Sequence, residues 1–313
     1  MAGKLGTVFS DLVLAGMRRQ GGSAFGRSYR NQLYAMLAPY LAGIILLVVA
    51  PALLSFALAF AHYGALGPPR WAGLQNFKFI SADPLLGIAI RNSLYFIVLA
   101  VPLRVVGALL LALLLNRPRK GIGVYRTAVC LPTVVPDVAY ALIWLWILNP
   151  RYGPLNQTLG LLGLPTPAWL VNPATAKSGF VLMALFQIGE GFIVLLAGLQ
   201  NIPHEYFESA QIDGGGRLSL LRHITLPMLS PWLVLLTFRD VILTFQYTFT
   251  PSFVMTGGDP YYATLFLPLL IFEEAFDRFR FGTGSAMMLI MFLTTLILLL
   301  VLFRLFKGWG YDD

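Results

Sequence analysis

The sequence is poor in the side chains that bind metals or carry out acid–base chemistry. Its 313 residues include one cysteine, Cys130, and three scattered histidines, His62, His204 and His223. A single cysteine excludes an intrachain disulfide and a cysteine-based metal site, and the histidines have no metal-ligating or base–nucleophile spacing. The Gly-Lys-Ser/Thr sequence of a phosphate-binding loop is also missing. We therefore expect no catalytic residues, no metal and no cofactor in this chain.

Charged residues are scarce too. Asp, Glu, Lys and Arg make up 12% of the chain, about half the share in soluble domains, while 58% of the residues are hydrophobic. A soluble core of this size cannot hide so much apolar surface, so lipid must be part of the solvent. The net charge of +8 would suggest nucleic-acid binding in a soluble protein. In a membrane protein it indicates basic residues kept in cytoplasmic loops, so no nucleic-acid partner is expected.

Six stretches are apolar enough, and long enough at about 20 residues, to cross a bilayer. They predict an all-α, polytopic membrane protein with six transmembrane helices at residues 36–61, 89–115, 127–148, 179–200, 224–250 and 284–306. The first follows about 35 polar and basic residues and lacks a signal-cleavage pattern, so we interpret it as a retained span. The prediction divides the chain into a tail (1–35), a first helix (36–61), a core (89–306) and a second tail (307–313). Residues 5–17 of the first tail are either a short amphipathic surface helix or disordered.

The distribution of basic residues predicts the orientation. With six spans both tails lie on one side, and thirteen Lys and Arg residues fall on that side against six in the opposite loops. Because cytoplasmic loops carry the excess of basic residues, we expect both termini in the cytoplasm.

The loop between the fourth and fifth spans, residues 201–227, carries the most informative motif. Its pattern predicts a short helix, a break at three glycines (214–216), and a second short helix before the span that starts at Pro227. Tyr206, Phe207 and Ala210 give the first helix a small apolar face. This face either docks a partner protein or rests on the membrane surface.

The loop matches the pattern Glu208-x-Ala210-x₃-Gly214-x₉-Ile224-x-Leu226-Pro227. This resembles the EAA signature of bacterial ABC import permeases at every fixed position; only Ser209 departs, where an alanine is usual. The resemblance covers residues 36–306 and is closest to the carbohydrate branch, with maltose, trehalose and glycerol-3-phosphate permeases. Further segments that fit that branch are 71–77, 144–156, 197–203, 245–246 and 254–260.

The resemblance implies the fold of a type I ABC importer permease in the cytoplasmic membrane. It implies a second, homologous permease subunit, two ATP-binding cassette subunits that bind ATP and Mg²⁺, and an extracytoplasmic solute-binding protein. It also implies that the loop couples the chain to the ATPase through Glu205, Tyr206, Phe207, Glu208, Ser209, Ala210, Asp213, Gly214 and Arg217.

Five ionisable residues lie within the predicted spans: Arg104, Asp137, Glu190, Arg239 and Asp240. Such groups usually face a cavity or one another. Carboxylates, amides and aromatic faces suit a sugar, and the candidate substrate-binding residues are Gln246, Glu190, Arg239, Phe249 and Trp144. The alternative is an interhelical salt-bridge network that serves assembly, with Glu190 paired to Arg239 or Asp137 paired to Arg104.

The predicted function is therefore the import of a sugar, a di- or oligosaccharide, with ATP hydrolysed in a separate subunit. Glycerol-3-phosphate or another polar solute is the alternative substrate, although three acids against two bases in the spans argue against a phosphate group. A stand-alone secondary transporter has no reason to carry the EAA pattern. A membrane-embedded enzyme would need a catalytic constellation that the sequence does not show.

Overall fold

A computed structural model of the chain describes the backbone of residues 24–307 and the side chains of residues 31–307. Residues 5–17, for which an amphipathic helix is one prediction, lie outside the described residues, as does nearly all of the predicted C-terminal tail. The chain divides into two units, one ending at Ala57 and the other beginning at Leu58.

The first unit is helical over all of its described residues. Helix α1 (Ala24–Ile44) continues through a π-helical turn (Ile45–Val49) into α2 (Ala50–Leu58). This stretch contains an apolar span, Asn31–Leu58, none of whose residues is buried in the isolated chain, which is compatible with contact to lipid. Helix α1 begins at Ala24, 12 residues before the predicted start of the first span at residue 36, so the helix extends into the segment assigned to the tail.

The second unit is built almost entirely of helices. In chain order its elements are β1 (Ala61–His62), β2 (Arg70–Trp71), α3 (Gln75–Ser81), α4 (Pro84–Leu115), α5 (Ile122–Val134), α6 (Asp137–Ile147), α7 (Pro154–Leu161), α8 (Pro173–Leu185), α9 (Gly189–Gln200), α10 (His204–Ile212), α11 (Arg217–Leu220), α12 (Leu226–Pro251), α13 (Leu267–Phe272) and α14 (Phe281–Phe306). Three further π-helical turns, Leu221–Thr225, Ser252–Thr256 and Glu273–Asp277, join or extend these helices.

Four helical stretches of the described chain can cross a membrane alone: Asn31–Leu58, Pro84–Leu115, Arg217–Thr256 and Phe281–Phe306. Two pairs of shorter helices, α5 with α6 and α8 with α9, meet the same length and composition criterion together but are bent by 103° and 44°, and counting each pair as one span gives six. The apolar stretches 127–148 and 179–200 are therefore broken, not straight as a hydropathy count suggests.

The first break has a local cause, whereas the second accompanies a close tertiary contact. Val135 precedes Pro136 and takes an extended backbone (ψ 129°), as the residue before proline prefers, and this ends α5. At the second break α9 begins at Gly189, where an added Cβ would lie 2.9 Å from the Cα of Cys130. Glycine at this position lets the start of α9 lie against the backbone of α5.

The interior joins α4, α9 and α12. Ala108 and Ala112 of α4 are buried against Phe192 and Leu195 of α9, and Leu229 of α12 belongs to the same cluster. Small residues at helix contacts let the backbones approach closely, which is the usual way that membrane helices pack.

The segment after the first span is ordered by polar contacts. In the hairpin of β1 and β2, Ala61 pairs with Trp71. The buried Asn76 amide donates hydrogen bonds to the carbonyls of Ala59 and Ala61, both at 2.9 Å. The Gly282 N–H donates to the Tyr63 carbonyl at 3.1 Å, so the start of α14 is bound to this hairpin.

Candidate functional site

The EAA loop (residues 201–227) presents helix α10 on the surface and ends it at the predicted glycines. Gly214 has φ 82°, a left-handed conformation that disfavours side chains. The Gly215 N–H donates to the Ala210 carbonyl at 2.8 Å, and the Gly214 N–H donates to the Gln211 carbonyl at 3.0 Å. These two bonds form a Schellman motif, which satisfies the last carbonyls of the helix.

Gly215 is constrained for a different reason. A Cβ there would lie 2.6 Å from the Ala210 carbonyl oxygen. Two of the three glycines are therefore needed, Gly214 for its backbone angle and Gly215 for its close approach.

The second half of the loop differs from the prediction. There is no separate short helix, because α11 runs through the π-helical turn into α12 and the helix is continuous over Arg217–Thr256. Pro227 lies ten residues inside this helix and does not start it. The π-helical turn just before Pro227 shifts the hydrogen-bond register where proline cannot donate.

The predicted apolar face of α10 divides between core and solvent. Phe207 is half-buried and packs against the core cluster together with Ile224. Tyr206 is 47% exposed, and two residues outside the predicted set are more exposed, Ile212 at 87% and Leu218 at 77%. Three large apolar side chains at the surface of a short loop are typical of a docking site for another protein.

The polar residues predicted for coupling surround this apolar surface. Glu205, Glu208, Asp213 and Arg217 are all exposed. The Ser209 hydroxyl donates to the Tyr206 carbonyl at 3.2 Å, so the one departure from the EAA pattern is accommodated within its own helix. The loop thus offers a mixed charged and apolar surface on a rigid helix.

The second candidate site lies within the spans and consists of Arg104, Glu190, Arg239 and Asp240, here called the charged network. Arg104 Nε on α4 lies 3.6 Å from Asp240 Oδ2 on α12, with both side chains 8% exposed. Arg239 Nη1 lies 3.8 Å from Asp240 Oδ1, and its other terminal nitrogen donates to Glu190 Oε2. Two acids and two arginines balance, so the network joins α4, α9 and α12 without net charge.

The network continues into the break between α8 and α9. Arg104 Nη2 donates to the Gln187 carbonyl at 3.1 Å, and the guanidinium lies 5.1 Å from the centre of the Tyr247 ring. A carbonyl at a helix end has no partner of its own within the helix, so the arginine satisfies it. A cavity of about 10 Å³ adjoins Arg104 and Asp240, a size that admits one water molecule.

The structure selects between the two salt bridges that the sequence allowed. Glu190 pairs with Arg239, whereas Asp137 is exposed at the start of α6 and Arg104 pairs with Asp240. Tyr247 follows Asp240 by seven residues, so helical periodicity alone places both on the face that meets Arg104. No sequence pattern indicated the Gln187 carbonyl as a partner of Arg104, because the helix break that leaves this carbonyl without an intrahelical partner depends on tertiary packing.

The remaining predicted substrate residues lie in different surroundings. Gln246 is exposed, on the same face of α12 as Arg239. Phe249 is half-buried and stacks on Phe253 with ring centres 5.8 Å apart. Trp144 is 6% exposed, and its ring lies 5.1 Å from that of Phe186. The structure therefore pairs Glu190 with Arg239, places Gln246 two helical turns from Arg239, and puts the two aromatic candidates in packed clusters.

Sequence comparison identifies the class of protein. Residues 104–308 match the family described as the inner membrane component of binding-protein-dependent transport systems. The chain belongs to this family and is a multi-pass membrane protein. Residues 104–308 include both the EAA loop and the charged network.

Individual relatives agree with this assignment. The chain is 33% identical to the probable ABC transporter permease protein YesP of Bacillus subtilis, over 90% of this chain and 92% of that protein. It is 30% identical to the trehalose/maltose transport system permease protein MalF of Thermococcus litoralis, over 84% and 89%. In fold it matches a chain of the bacterial alginate ABC transporter, crystallised with a periplasmic protein that holds an alginate pentasaccharide, with a TM-score of 0.78 and 22% identity over 91% and 97%.

Proposed function

We propose that this chain is the permease subunit of an ABC importer that carries a di- or oligosaccharide, delivered by an extracytoplasmic binding protein, across the cytoplasmic membrane. Family membership supplies the transport role. The observation that carries the coupling role is the EAA loop, where α10 ends in a Schellman motif and leaves Tyr206, Ile212 and Leu218 exposed among charged residues.

ATP hydrolysis takes place in partner subunits under this proposal. This chain is not an enzyme and binds no cofactor; two ATP-binding cassette subunits bind ATP and Mg²⁺ and dock on the EAA loop. A second, homologous permease subunit completes the pathway, and both termini lie in the cytoplasm. The excess of basic residues on the side that carries the EAA loop supports this orientation.

The sugar passes along the face of α12 that carries Arg239 and Gln246, opposite Glu190. Glu190 and Arg239 remain 50% and 35% exposed although they pair with each other, so both can reach a ligand. Charged and amide groups of this kind hydrogen-bond sugar hydroxyls. Trp144 and Phe249, which lie in packed aromatic clusters, are the aromatic candidates for contact with the sugar. The sugar names and titles of the compared proteins support the substrate class.

The test is reconstitution. The chain is purified with its co-purifying subunits, placed in proteoliposomes and supplied with its binding protein. We expect a P-loop ATPase in the complex and ATP hydrolysis stimulated by a di- or oligosaccharide. If no ATPase co-purifies under conditions where the chain stays folded, the coupling role is wrong.

Glycerol-3-phosphate or another polar solute is the second candidate, because such permeases belong to the same branch. The balanced charge of the network gives a phosphate no spare cation among the four residues, which favours the neutral sugar. If glycerol-3-phosphate stimulates ATP hydrolysis and no saccharide does, then the substrate is glycerol-3-phosphate and the proposed coupling role is unaffected.

A further inference from the structure

The outer surface of helix α4 carries a groove at its N-terminal end that the transport role does not use. The groove has a volume of about 450 Å³, and its walls are mostly apolar. The residues that line it recur every three or four positions along one face of the helix: Gly87, Ile90, Arg91, Leu94, Tyr95 and Val98.

One cation lines this groove and a second lies beside it, against the ring of Tyr95. Arg91 is exposed and precedes Tyr95 by one helical turn. Lys177 on α8 lies across the same ring, with Nζ 5.1 Å from its centre, and donates to the buried Asn92 side chain at 2.9 Å.

These two charges are not neutralised by the part of the chain that the structure describes. Within residues 31–307, no carboxylate lies within 4.0 Å of Arg91 or Lys177. The lysine is held by a neutral amide and an aromatic ring, which orient a cation but do not neutralise it. A bound anion would neutralise both cations.

The depth of the two cations indicates the source of that anion. Helix α4 has 32 residues, about 48 Å, which exceeds the hydrocarbon core by about 18 Å. Divided between the ends, this excess puts the boundary of the hydrocarbon about 9 Å from Pro84, close to Arg91. Lys177 is four residues into α8, about 6 Å from its start. Both cations therefore lie at headgroup level, and Leu94 and Val98 lie at the level of the acyl chains.

We propose that this groove is a binding site for one anionic phospholipid. Its phosphate lies between Arg91 and Lys177, Tyr95 contacts the headgroup–acyl boundary, and one acyl chain lies along Leu94 and Val98. Basic pockets between transmembrane helices recognise anionic headgroups by this combination of charge and apolar contact.

The test measures which lipids remain on the complex. The full chain, purified with its subunits and exchanged into mixed phosphatidylglycerol and phosphatidylcholine, is analysed by native mass spectrometry. We expect retained phosphatidylglycerol in preference to phosphatidylcholine. Removing both cations, Arg91→Gln with Lys177→Gln, lowers this retention about thirtyfold, at about fivefold for each charge.

Three further variants separate the groove from general surface charge. Gly87→Phe fills the groove and keeps both cations, and a Cβ added there meets nothing within 4 Å, so the backbone has room for a side chain at this position. This variant loses the lipid, whereas Gly43→Phe on the first span, where a Cβ also meets nothing, keeps it. Arg151→Gln, an exposed arginine away from the groove, keeps the lipid as well.

Three outcomes overturn the site. Equal retention of both phospholipids shows an ordinary lipid annulus, and unchanged retention in Arg91→Gln with Lys177→Gln shows that the cations do not bind phosphate. The third uses Val98→Cys with Cys130→Ser, carrying a photoreactive probe at a position 69% exposed. A cross-link to a protein subunit instead of lipid shows that the groove is a subunit interface.

Discussion

Arg104 on α4 and Asp240 on α12 form a buried ion pair across 136 positions of the sequence, with 3.6 Å between Nε and Oδ2. At this distance the contact is ionic and too long for a hydrogen bond. The guanidinium is instead oriented by the Gln187 carbonyl and the Tyr247 ring. One arginine therefore links α4, the break before α9, and α12.

Removing one charge of this pair should destabilise the fold. Arg104→Gln leaves the buried Asp240 with only the more distant Arg239, and we expect a loss of roughly 3–5 kcal/mol in the free energy of unfolding. Thermal unfolding in detergent measures it. Arg104→Gln combined with Asp240→Asn removes both charges and should recover most of the loss. Asp137→Asn, at an exposed carboxylate, is the control and should change little. An equal loss of stability in Asp137→Asn would show that Asp137 also pairs with a basic residue within the spans.

Substitutions on the face of α12 that carries Arg239 and Gln246 should affect transport and not stability. Gln246→Ala should lower sugar uptake about ten- to a hundredfold, because a lost hydrogen bond in a dry site costs roughly 1–3 kcal/mol. Basal ATP hydrolysis and complex assembly should stay unchanged. Gln157→Ala removes an exposed amide on α7 and serves as the matched control. Uptake kinetics identical to the parent would show that Gln246 does not contact the sugar.

Glu190 tests whether its salt bridge is structural or functional. Glu190→Gln should reduce uptake while the complex still assembles, since both Glu190 and Arg239 are partly exposed. A purely structural bridge instead predicts poor assembly, restored when Arg239→Gln removes the second charge. Size-exclusion chromatography and uptake, measured on the same preparations, separate the two.

The glycine at the end of α10 offers a matched pair of variants. Gly214→Val forces a β-branched residue into φ 82°, which should distort the EAA loop and abolish substrate-stimulated ATP hydrolysis. Gly121→Val places the same strain (φ 81°) at the start of α5, and neither glycine has an atom within 4 Å of an added Cβ. If both variants lose stimulation equally, the effect is general strain and not a failure of coupling.

A charge change in the same loop tests docking without strain. Glu208 is exposed, so Glu208→Lys should leave membrane insertion intact and weaken binding of the ATPase. Pull-down of the cassette subunit measures this directly. Arg222→Glu, a charge reversal at an exposed position outside the predicted coupling set, is the control. Normal ATPase binding by the Glu208→Lys variant would show that Glu208 does not contribute to the contact with the ATPase.

Orientation can be measured with single cysteines in a Cys130→Ser background. Ser219 and Thr166 are exposed and lie on opposite sides in the predicted topology. An impermeant maleimide added to intact spheroplasts should label Thr166→Cys and reach Ser219→Cys only after lysis. The reverse pattern would invert the topology and place the EAA loop outside.

The amino-acid sequence by itself determined the features that depend on local composition. Apolar runs of about 20 residues require spans whatever their neighbours, because unpaired backbone groups cannot remain in lipid. The EAA pattern located the loop that we propose docks the ATPase, and its glycines marked where α10 ends, since a left-handed backbone is a local requirement.

Only the tertiary structure decided how those elements meet. A hydropathy profile shows how apolar each stretch is but not the direction in which its helix runs. It therefore could not show that the chain bends by 103° at Pro136 or that α11 continues into α12. It also could not pair Arg104 with Asp240 rather than with Asp137. Both acids lay within predicted spans. The choice depended on the break at Val135, which places Asp137 on the surface, and on the packing of α4 against α12. The interaction energy of two charges in a low-dielectric interior depends on the distance between them in space, and their separation in the sequence does not give that distance.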